Sequence, residues 1–598
     1  MRMAIKKYST TIFWLVLFLV FFYTPIKKFD VFSVVIEETQ GKPVPLIIVL
    51  YEFFKFLLIK SRIVALIFSA AMLLLLVVIL FMVSFLVSRI FEKTNFFKLK
   101  FFLVLNNLIE KFLNIKTIYL LALLFLVSLI PRLVYINAGL FHHDSVETAI
   151  ATEQTVETGK LHGIVGYRYG YILLNVIAYL VPHFIFGVQS AELTVNILTV
   201  ITASLSIAIA YLFVKELLNN NYTAFCAALL FSFSSVYFSV TTYAKDHAPS
   251  VLFILLAGYC LLKSLKTGLM RYYILLGITL GFSLFIRVAD ILITIPIFLL
   301  LYLFPRKFLE DADNFSKRFE FKNVAFILIP LIIFLILFFF FQKGAVSGSI
   351  SGNKFLGNES YSNHVLSIIT SLTPFVAFLA AYGLFISLRK KHYIALLLFF
   401  WILIVYVFYS SFITSKLRFF IPLLIPLFII TSIGLDYIKK HFSIVSYLFL
   451  IAAVMSMFLL IKPIMEYRHY HSSGKELAFY VANNSGQNSI IVDSGDFGMF
   501  YKYYAKRSFI QCPDKFNSTQ FADLIMEMNS TLAHKVPLYF NDRCLDLPSD
   551  RDKFLMFDAL TRDFAFVPVG DVYIENYESI YVFYKYKFTI YKVKMKSI

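Results

Sequence analysis

Long apolar runs separated by short charged loops are the dominant pattern along this 598-residue chain. Runs of about 18 to 25 residues match a helix that crosses a hydrocarbon core roughly 30 Å thick. Inside a bilayer every backbone polar group must be paired, so helices are the only reasonable spanning element for such runs. The pattern therefore predicts a polytopic α-helical membrane protein with about 13 transmembrane helices.

Most of the predicted spans form a continuous core between residues 117 and 463, and two more precede it, near 9–24 and 62–88. The core spans are predicted near 117–136, 193–214, 223–241, 249–266, 272–287, 289–304, 323–341, 366–388, 393–411, 418–437 and 443–462.

The distribution of basic residues predicts how these spans are oriented. The chain has 60% hydrophobic residues and a net charge of +19, and loops such as 88–116, 305–322 and 439–441 are rich in Lys and Arg. Basic loops stay in the cytoplasm, which places the N-terminus inside and residues 464–598 outside. This explanation of the charge argues against nucleic acid as a partner, since no basic, aromatic-interleaved surface stands out.

Alternation of the spans changes the interpretation of two apolar segments. Residues 171–186 are apolar enough to cross, but the loops on both sides must be outside, so a helix in the outer interface is expected. Residues 44–59 are interpreted in the same way because charges interrupt them. The glycine-containing external loop 343–365 is either a mobile lid or an ordinary connector.

The polar C-terminal region, 464–598, is predicted to be a small extracytoplasmic α/β domain. A helix near 474–482 precedes a buried strand at 489–493, and the alternating residues of 573–593 fit a terminal hairpin. The cysteines of this region, Cys512 and Cys544, are compatible with a disulfide or with two free thiols.

Ionisable residues gather just after the span 117–136. His142, His143, Asp144 and Ser145 are followed by Glu147. Such a cluster is costly at the mouth of a membrane span, so it is interpreted as a functional site. Two imidazoles and two carboxylates suit proton transfer or metal binding.

Asp144 is the candidate general base, because a carboxylate in an outer pocket is able to take a proton from a hydroxyl nucleophile. Partial burial is expected to raise its pKa toward a useful range. The alternative is that Asp144 or Ser145 caps a helix, with Glu147 completing a capping box.

Asp246 and His247 lie in the next external loop. A second carboxylate there suits a metal ion or the positioning of a sugar. The alternative is a solvated loop charge, or a cap for the helix that begins at Ala248.

Cations at the outer mouths of spans are candidates for holding a lipid phosphate. They are Arg168, Arg287, Lys416 and Arg418. Interfacial snorkelling is the alternative for each of them, and it is hardest to accept for Arg287, where a tight turn leaves little room to reach water.

Five segments, taken in chain order, resemble a known family. They contain an acidic first external loop, an aromatic helix ending in Phe-Gly, a short acidic loop, a glycine-rich span ending in a basic residue, and an arginine-aromatic-proline span start. They are 143–160, 166–193, 243–246, 275–287 and 417–422. The pattern resembles the GT-C fold glycosyltransferases that use polyprenyl-phosphate sugars, in the branch of protein O-mannosyltransferases and lipid A aminoarabinose transferases.

The resemblance implies transfer of a sugar, with inversion, from a polyprenyl-phosphate donor to a protein, lipid or glycan acceptor outside the membrane. It implies Asp144 as the base, Asp246 as a second acidic residue, and Arg287 and Arg418 as phosphate ligands. An integral protein of a prokaryotic plasma membrane is expected. The matching segments run in order from about 117 to 437 within the predicted core 117–463, whereas 1–116 is an N-terminal extension without a functional assignment.

The remaining candidates are assigned less firmly by the pattern. Glu147 joins Asp246 as an acidic residue for the acceptor or a metal. The histidines that could bind a divalent cation are His142, His143 and His247.

The chain departs from the family at the first loop, where His-Asp-Ser stands in place of Asp-Glu. The Trp-Trp-Asp signature of oligosaccharyltransferases is absent, because Trp14 and Trp401 are the only tryptophans. En bloc transfer of a glycan to asparagine is therefore disfavoured. The alternative functions are a transporter or flippase of lipid-linked anions, which often has duplicated halves, and a non-catalytic assembly subunit.

Overall fold

The computed structural model describes residues 109–113, 115–163, 168–308, 320–341, 368, 371–390, 393–410, 417–441, 443–513, 518–545, 550–579 and 582–596. The predicted spans 9–24 and 62–88, the segment 44–59, the loop 343–365 and Lys416 lie outside the described residues.

A large helical part occupies the described residues up to Tyr470. Its helices are α1 Thr117–Val134, α2 His143–Thr158, α3 Tyr169–Phe186, α4 Glu192–Leu218, α5 Asn221–Ser232, α6 Ser235–Val240, α7 His247–Thr267, α8 Met270–Ile286, α9 Val288–Leu303, α10 Pro305–Phe308, α11 Phe321–Phe341, α12 Pro374–Arg389, α13 Tyr393–Ser410, α14 Ile421–His441 and α15 Ser443–Tyr470.

The predicted fold class, a polytopic helical protein with a small C-terminal α/β domain, is confirmed, whereas the count of about 13 spans stays a prediction. Eight helices within the described residues are long and apolar enough to cross a membrane by length and composition, and each predicted core span coincides with helical structure. Helix α3 is one of the eight, and its placement in the interface stays a prediction. Helix α15 continues well past the predicted end at residue 462.

The predicted span 223–241 is broken into two helices, α5 and α6. This break determines the position of the loop that follows, residues 242–246. The carbonyl that is freed at Ser232 accepts a hydrogen bond of 2.7 Å from Nη2 of Arg132 on α1. The same guanidinium donates through Nε to Thr241 Oγ1 at 2.9 Å. Arg132 is fully buried and shielded from bulk water. Its hydrogen bonds to the protein therefore fix the chain at the point where it turns toward residues 242–246.

Glycines allow two pairs of helices to approach at backbone distance. A Cβ atom at Gly383 of α12 would lie 2.0 Å from the Ile430 carbonyl of α14, and one at Gly277 of α8 would lie 2.4 Å from the Ile327 carbonyl of α11. Small residues at such crossings increase van der Waals contact, which is the main attraction between helices in lipid.

The C-terminal region is a small α/β domain, as predicted. Its elements are α16 Ser473–Asn484, β1 Ile490–Ser494, α17 Gly495–Phe500, β2 Ser508–Cys512, α18 Ser518–Ala533, β3 Leu538–Asn541, α19 Asp550–Asp563, β4 Phe564–Ser579 and β5 Val582–Met595.

The five strands form one sheet in the order β2-β1-β3-β5-β4. Strand β1 is parallel to β2 and β3, whereas β5 is antiparallel to β3 and β4. The terminal hairpin begins at Phe564, earlier than predicted. Cys512 and Cys544 form a disulfide, which decides between the two sequence-based alternatives.

The C-terminal domain packs directly on α2. Tyr503 donates a hydrogen bond of 2.7 Å to Oε1 of Glu153, and the same oxygen accepts the Ala191 amide at 2.7 Å. The Leu140 amide donates to the Tyr504 hydroxyl at 2.9 Å. These bonds hold α2, whose first turn carries the ionisable cluster, between the sheet domain and the membrane helices.

Candidate active site

The first turn of α2 is organised by His142. Its backbone is extended, and its Nδ1 accepts the Asp144 amide at 3.2 Å, so His142 is the N-cap. Ser145 Oγ donates to the Ala244 carbonyl at 2.6 Å, which ties α2 to the loop before α7. The predicted cap at Asp144 or Ser145, with Glu147 in a capping box, is therefore wrong, and the Asp144 carboxylate is left for other partners.

Cations and an imidazole surround the Asp144 carboxylate. Lys245 Nζ and Arg168 Nη1 both donate to Oδ2, the latter at 3.1 Å, and His143 Nε2 lies 3.0 Å from Oδ1. Burial alone would raise the Asp144 pKa, but Lys245 and Arg168 outweigh burial and hold it well below its usual range. The expectation of a raised pKa is wrong, because it took no account of cations from other segments.

Ion pairs continue from Asp144 into the bundle. Arg168 Nε lies 3.1 Å from Asp246 Oδ2, and Arg287 Nη1 approaches the same oxygen at 3.3 Å. Arg287 Nε then donates to Asp290 Oδ2 at 2.8 Å. We call these five alternating residues, from Asp144 to Asp290, the charge chain. It joins α2, the segment before α3, the loop before α7, and the α8–α9 turn.

Asp246 is fully buried and is therefore not a solvated loop charge. It occupies the N-cap position of α7 without a capping hydrogen bond from its side chain. Burial would raise its pKa, but Arg168 and Arg287 lower it. Its Oδ1 atom is buried and has no hydrogen-bond partner within the described residues. The carboxylate thus serves mainly to hold two guanidiniums.

The inner end of the charge chain is anchored by two hydroxyl groups. Tyr409 of α13 donates to Asp290 Oδ1, and Ser250 of α7 donates to Asp290 Oδ2 at 2.8 Å. The Tyr409 ring stacks on Phe419 at a centroid distance of 5.8 Å. Sequence analysis assigned no role to Asp290 and missed Tyr409, whose apolar surroundings gave no signal.

Lys245 is a site residue that sequence analysis missed, although it adjoins Asp246 in the same loop. Only 2% of its side chain is exposed. Burial lowers its pKa to about 7, even though the nearby Asp144 carboxylate acts in the opposite direction. A buried lysine that titrates near neutrality is unusual, and such groups concentrate at functional sites.

Arg418 is a further cation at the same end of the bundle. Its Nη2 lies 3.3 Å from His142 Nε2, and its guanidinium lies 5.5 Å from the Phe419 ring. Within the part of the chain that the structure describes, no carboxylate is within ion-pair distance of Arg418. This leaves a guanidinium without a neutralising partner beside the Asp144 cluster.

His142 supplies a second hydrogen-bond donor for an anion in this region. Burial, followed by Lys245 and Arg418, lowers its pKa well below the usual value, so the ring is neutral. Because Nδ1 accepts the Asp144 amide, the ring proton is assigned to Nε2. That N–H faces the Arg418 guanidinium. The two nitrogens are 3.3 Å apart, so an acceptor that is shared by both donors would lie beside the pair.

The charges do not balance in this cluster. The charge chain has three carboxylates and two guanidiniums, and Lys245 with Arg418 raises the cations to four. Glu147, one turn after Asp144, has a raised pKa because of burial and then the Asp144 charge, and its Oε2 is buried without a partner among the described residues. Apart from Glu147, the cluster has one positive charge in excess.

The predicted divalent cation fits this cluster poorly. Ligand atoms of His142, His143 and Asp144 lie within 4.8 Å of one another. Lys245 and Arg168 already contact the Asp144 carboxylate, so a divalent ion would have to displace Lys245 in a cationic environment. His247 lies outside this group of ligand atoms, and its Nδ1 is buried without a partner among the described residues.

Two comparisons relate this architecture to known proteins. Residues 176–340 match a family model described as dolichyl-phosphate-mannose-protein mannosyltransferase. The structure resembles ArnT from Cupriavidus metallidurans bound to undecaprenyl phosphate, with a TM-score of 0.54 and 10% identity over 80% of this chain and 97% of ArnT. This chain has the GT-C fold. A search of curated proteins gave no significant match to the sequence.

A second GT-C neighbour is the archaeal oligosaccharyltransferase AglB from Archaeoglobus fulgidus, in complex with an inhibitory peptide and a dolichol-phosphate. The TM-score is 0.51, with 13% identity over 79% of this chain and 74% of AglB. At these identities the likeness establishes the fold, and residue roles must be argued from the geometry of this chain.

Most of the predicted site residues converge in the GT-C core of this chain. Asp144, Arg168, Asp246 and Arg287 belong to one chain of ion pairs, and Arg418 reaches it through His142. Snorkelling is therefore wrong as the explanation of Arg168 and Arg287, because both guanidiniums bind buried carboxylates instead of reaching for water.

Removing one link of the charge chain should destabilise the protein. We expect Arg287→Gln to lower stability by about 3–5 kcal/mol, because it leaves Asp246 and Asp290 buried without their shared cation. The melting temperature in detergent measures this effect. Arg271→Gln, which removes an exposed cation at the other end of α8, is the matched control. Equal melting temperatures for the two variants would contradict the structural role of the chain.

Proposed function

We propose that this chain transfers one sugar from a polyprenyl-phosphate carrier to an acceptor hydroxyl at the outer face of a membrane, with inversion. The observation that carries the proposal is the excess of cations beside the Asp144 carboxylate, where Lys245 pairs with Asp144 and Arg418 has no carboxylate partner among the described residues. Support also comes from two neighbours, since ArnT was solved with undecaprenyl phosphate and AglB with a dolichol-phosphate. The acceptor is a protein, lipid or glycan.

Lys245, Arg418 and the Nε2 proton of His142 bind the donor phosphate. A phosphodiester carries one negative charge, which matches the excess positive charge of the cluster. During transfer the bond between the sugar carbon and the phosphate oxygen breaks, and the acceptor oxygen forms a bond to that carbon. The departing phosphate gains negative charge, which the same cations stabilise as it develops.

Asp144 takes the acceptor proton as the new bond forms. At rest it is a weak base, because Lys245 holds its pKa down. A bound phosphate competes for the Lys245 ammonium, and as the ammonium moves toward the phosphate the pKa of Asp144 rises. Donor binding therefore activates the base, and an enzyme without donor does not have a strong base exposed to water.

Other residues of the cluster bind the acceptor or hold the catalytic groups. Glu147 lies one turn from Asp144 on α2, and its Oε2, which has no partner among the described residues, is able to accept a hydrogen bond from an acceptor hydroxyl. Asp246 and Arg287 hold Arg168 against Asp144. Lys416 stays a candidate phosphate ligand on sequence grounds alone.

The active site and the C-terminal domain are placed on the extracytoplasmic face of a membrane, with a prokaryotic plasma membrane as the expected location. The disulfide between Cys512 and Cys544 supports this placement, because disulfides persist in oxidising compartments. The distribution of basic loops along the sequence supports it independently.

A transporter or flippase of lipid-linked anions is the second candidate function. Transport sites are typically near the middle of the membrane. Here the charges gather at the ends of α7, α8 and α14, at one end of the bundle. This distribution favours the enzyme over a transporter, and a non-catalytic assembly subunit has no need for a carboxylate base within a cluster of excess cations.

The Asp144→Asn variant tests the base. We expect sugar transfer to fall about 10²–10⁴-fold, because the amide accepts no proton from the hydroxyl. Transfer of radiolabelled sugar from a polyprenyl-phosphate donor in membranes measures it, and Glu157→Gln, at an exposed position of the same helix, is the control. Full transfer by Asp144→Asn would overturn the base assignment. No transfer by the wild type with any of several donors would overturn the proposal that the chain is an enzyme.

The pH dependence of kcat/KM for the donor tests Lys245. Its ammonium is present below a pKa of about 7 and is lost above it, so we expect kcat/KM to fall as the pH rises through about 7. Lys245→Arg keeps its charge over this range, and its profile should stay flat up to about pH 9. If kcat/KM of the wild type and of Lys245→Arg fell equally above about pH 7, Lys245 would not be the titrating group.

A further inference from the structure

The last turn of α15 places a buried arginine against two loops of the candidate active site. Only 3% of Arg468 is exposed. Its guanidinium lies 4.0 Å from the centre of the Phe141 ring and 5.6 Å from that of Tyr243. Nη1 also donates to the Ser239 carbonyl at 3.3 Å. One planar group thus contacts the segment before α2 and the segment between α6 and α7.

These two segments carry the base and the ammonium. Phe141 directly precedes His142, the N-cap of α2, and Tyr243 lies two residues before Lys245. The Phe141 and Tyr243 rings contact each other at a centroid distance of 5.1 Å. The guanidinium therefore lies against a pair of rings, and each ring is close in sequence to one partner of the Asp144–Lys245 ion pair.

The backbone at the end of α15 strengthens this arrangement. The Ala138 amide donates to the Arg468 carbonyl at 3.2 Å. His469 Nδ1 lies 3.0 Å from the Ile136 carbonyl. Three successive contacts along 136–141 thus fix the segment before α2 to the end of a membrane helix, just before the chain enters the C-terminal domain.

We propose that Arg468 is a positioning residue that sets the separation between the Asp144 carboxylate and the Lys245 ammonium; this inference rests on the proposed function. Arg468 contacts neither group, and it acts through Phe141 and Tyr243. A guanidinium suits this role because its flat face packs on an aromatic ring while its edge donates to a carbonyl. A lysine ammonium has no such plane, so Arg468→Lys should keep the two groups only partly in position.

The kinetic test is a double-mutant cycle with Arg468→Met and Phe141→Leu. We expect each single variant to lower kcat at least tenfold, and the double variant to be little worse than the poorer single one, because both changes remove one contact. Arg468→Lys should recover part of the loss. Lys462→Met is the control, since it removes a 43% exposed cation from the same helix. Additive effects in the cycle, or equal kcat values for Arg468→Met and Lys462→Met, would overturn the proposal.

A crosslinking test gives a result that does not depend on activity. The Asp144→Cys and Lys245→Cys substitutions introduce two thiols that a short bis-thiosulfonate joins, while Cys226 and Cys260 are buried and Cys512 and Cys544 form a disulfide. We expect Arg468→Met to slow the crosslink several-fold and Lys462→Met to leave it unchanged. Equal rates would overturn the positioning role. An inactive wild type with a slowed crosslink would overturn the proposed function and leave the positioning role supported.

Discussion

Charge compensation inside a largely buried site is the constraint on which the rest of this structure depends. Carboxylates and guanidiniums alternate from Asp144 to Asp290, and each carboxylate of the chain has a cationic partner. Ions in such a place are tolerated only when partners offset the loss of hydration. The chain therefore requires α2, the segment before α3, the loop before α7 and the α8–α9 turn to meet at one place. The buried Arg132, the break between α5 and α6, and the C-terminal domain all help to bring them there.

The same constraint gives the site its chemistry. Because the cations outnumber the carboxylates by one when Glu147 is left out, the resting cluster favours the binding of one anion, for which Arg418 and the Nε2 proton of His142 are donors. A carboxylate that is already paired makes a poor base, so Asp144 must lose part of its pairing before it is useful. An incoming phosphate supplies the competition for Lys245 that achieves this. The same displacement of the Lys245 ammonium then binds the donor phosphate and activates Asp144 as a base.

Much of this arrangement could be predicted from the sequence. Apolar run length located the core helices, and the cost of charge near lipid identified Asp144, Asp246 and Arg287. The break after Ser232 was missed because the run is apolar overall, although Ser234, the N-cap of α6, was a local signal for it. Local signals also misled at α2, where an Asp-x-x-Glu pattern suggested a capping box while His142 is the cap. The direction of the Asp144 pKa shift depends on cations that are distant in sequence, and only the folded chain brings them together.

A structure of the wild-type protein with bound undecaprenyl phosphate tests the central claim most directly. The account predicts the phosphate within about 3 Å of Lys245 Nζ and the Arg418 guanidinium, the usual distance of a charge-assisted hydrogen bond. It also predicts that the ammonium moves away from the Asp144 carboxylate, while the ion pairs from Arg168 to Asp290 stay intact. A phosphate bound elsewhere, with the ion pair between Lys245 and Asp144 unchanged, would contradict the account.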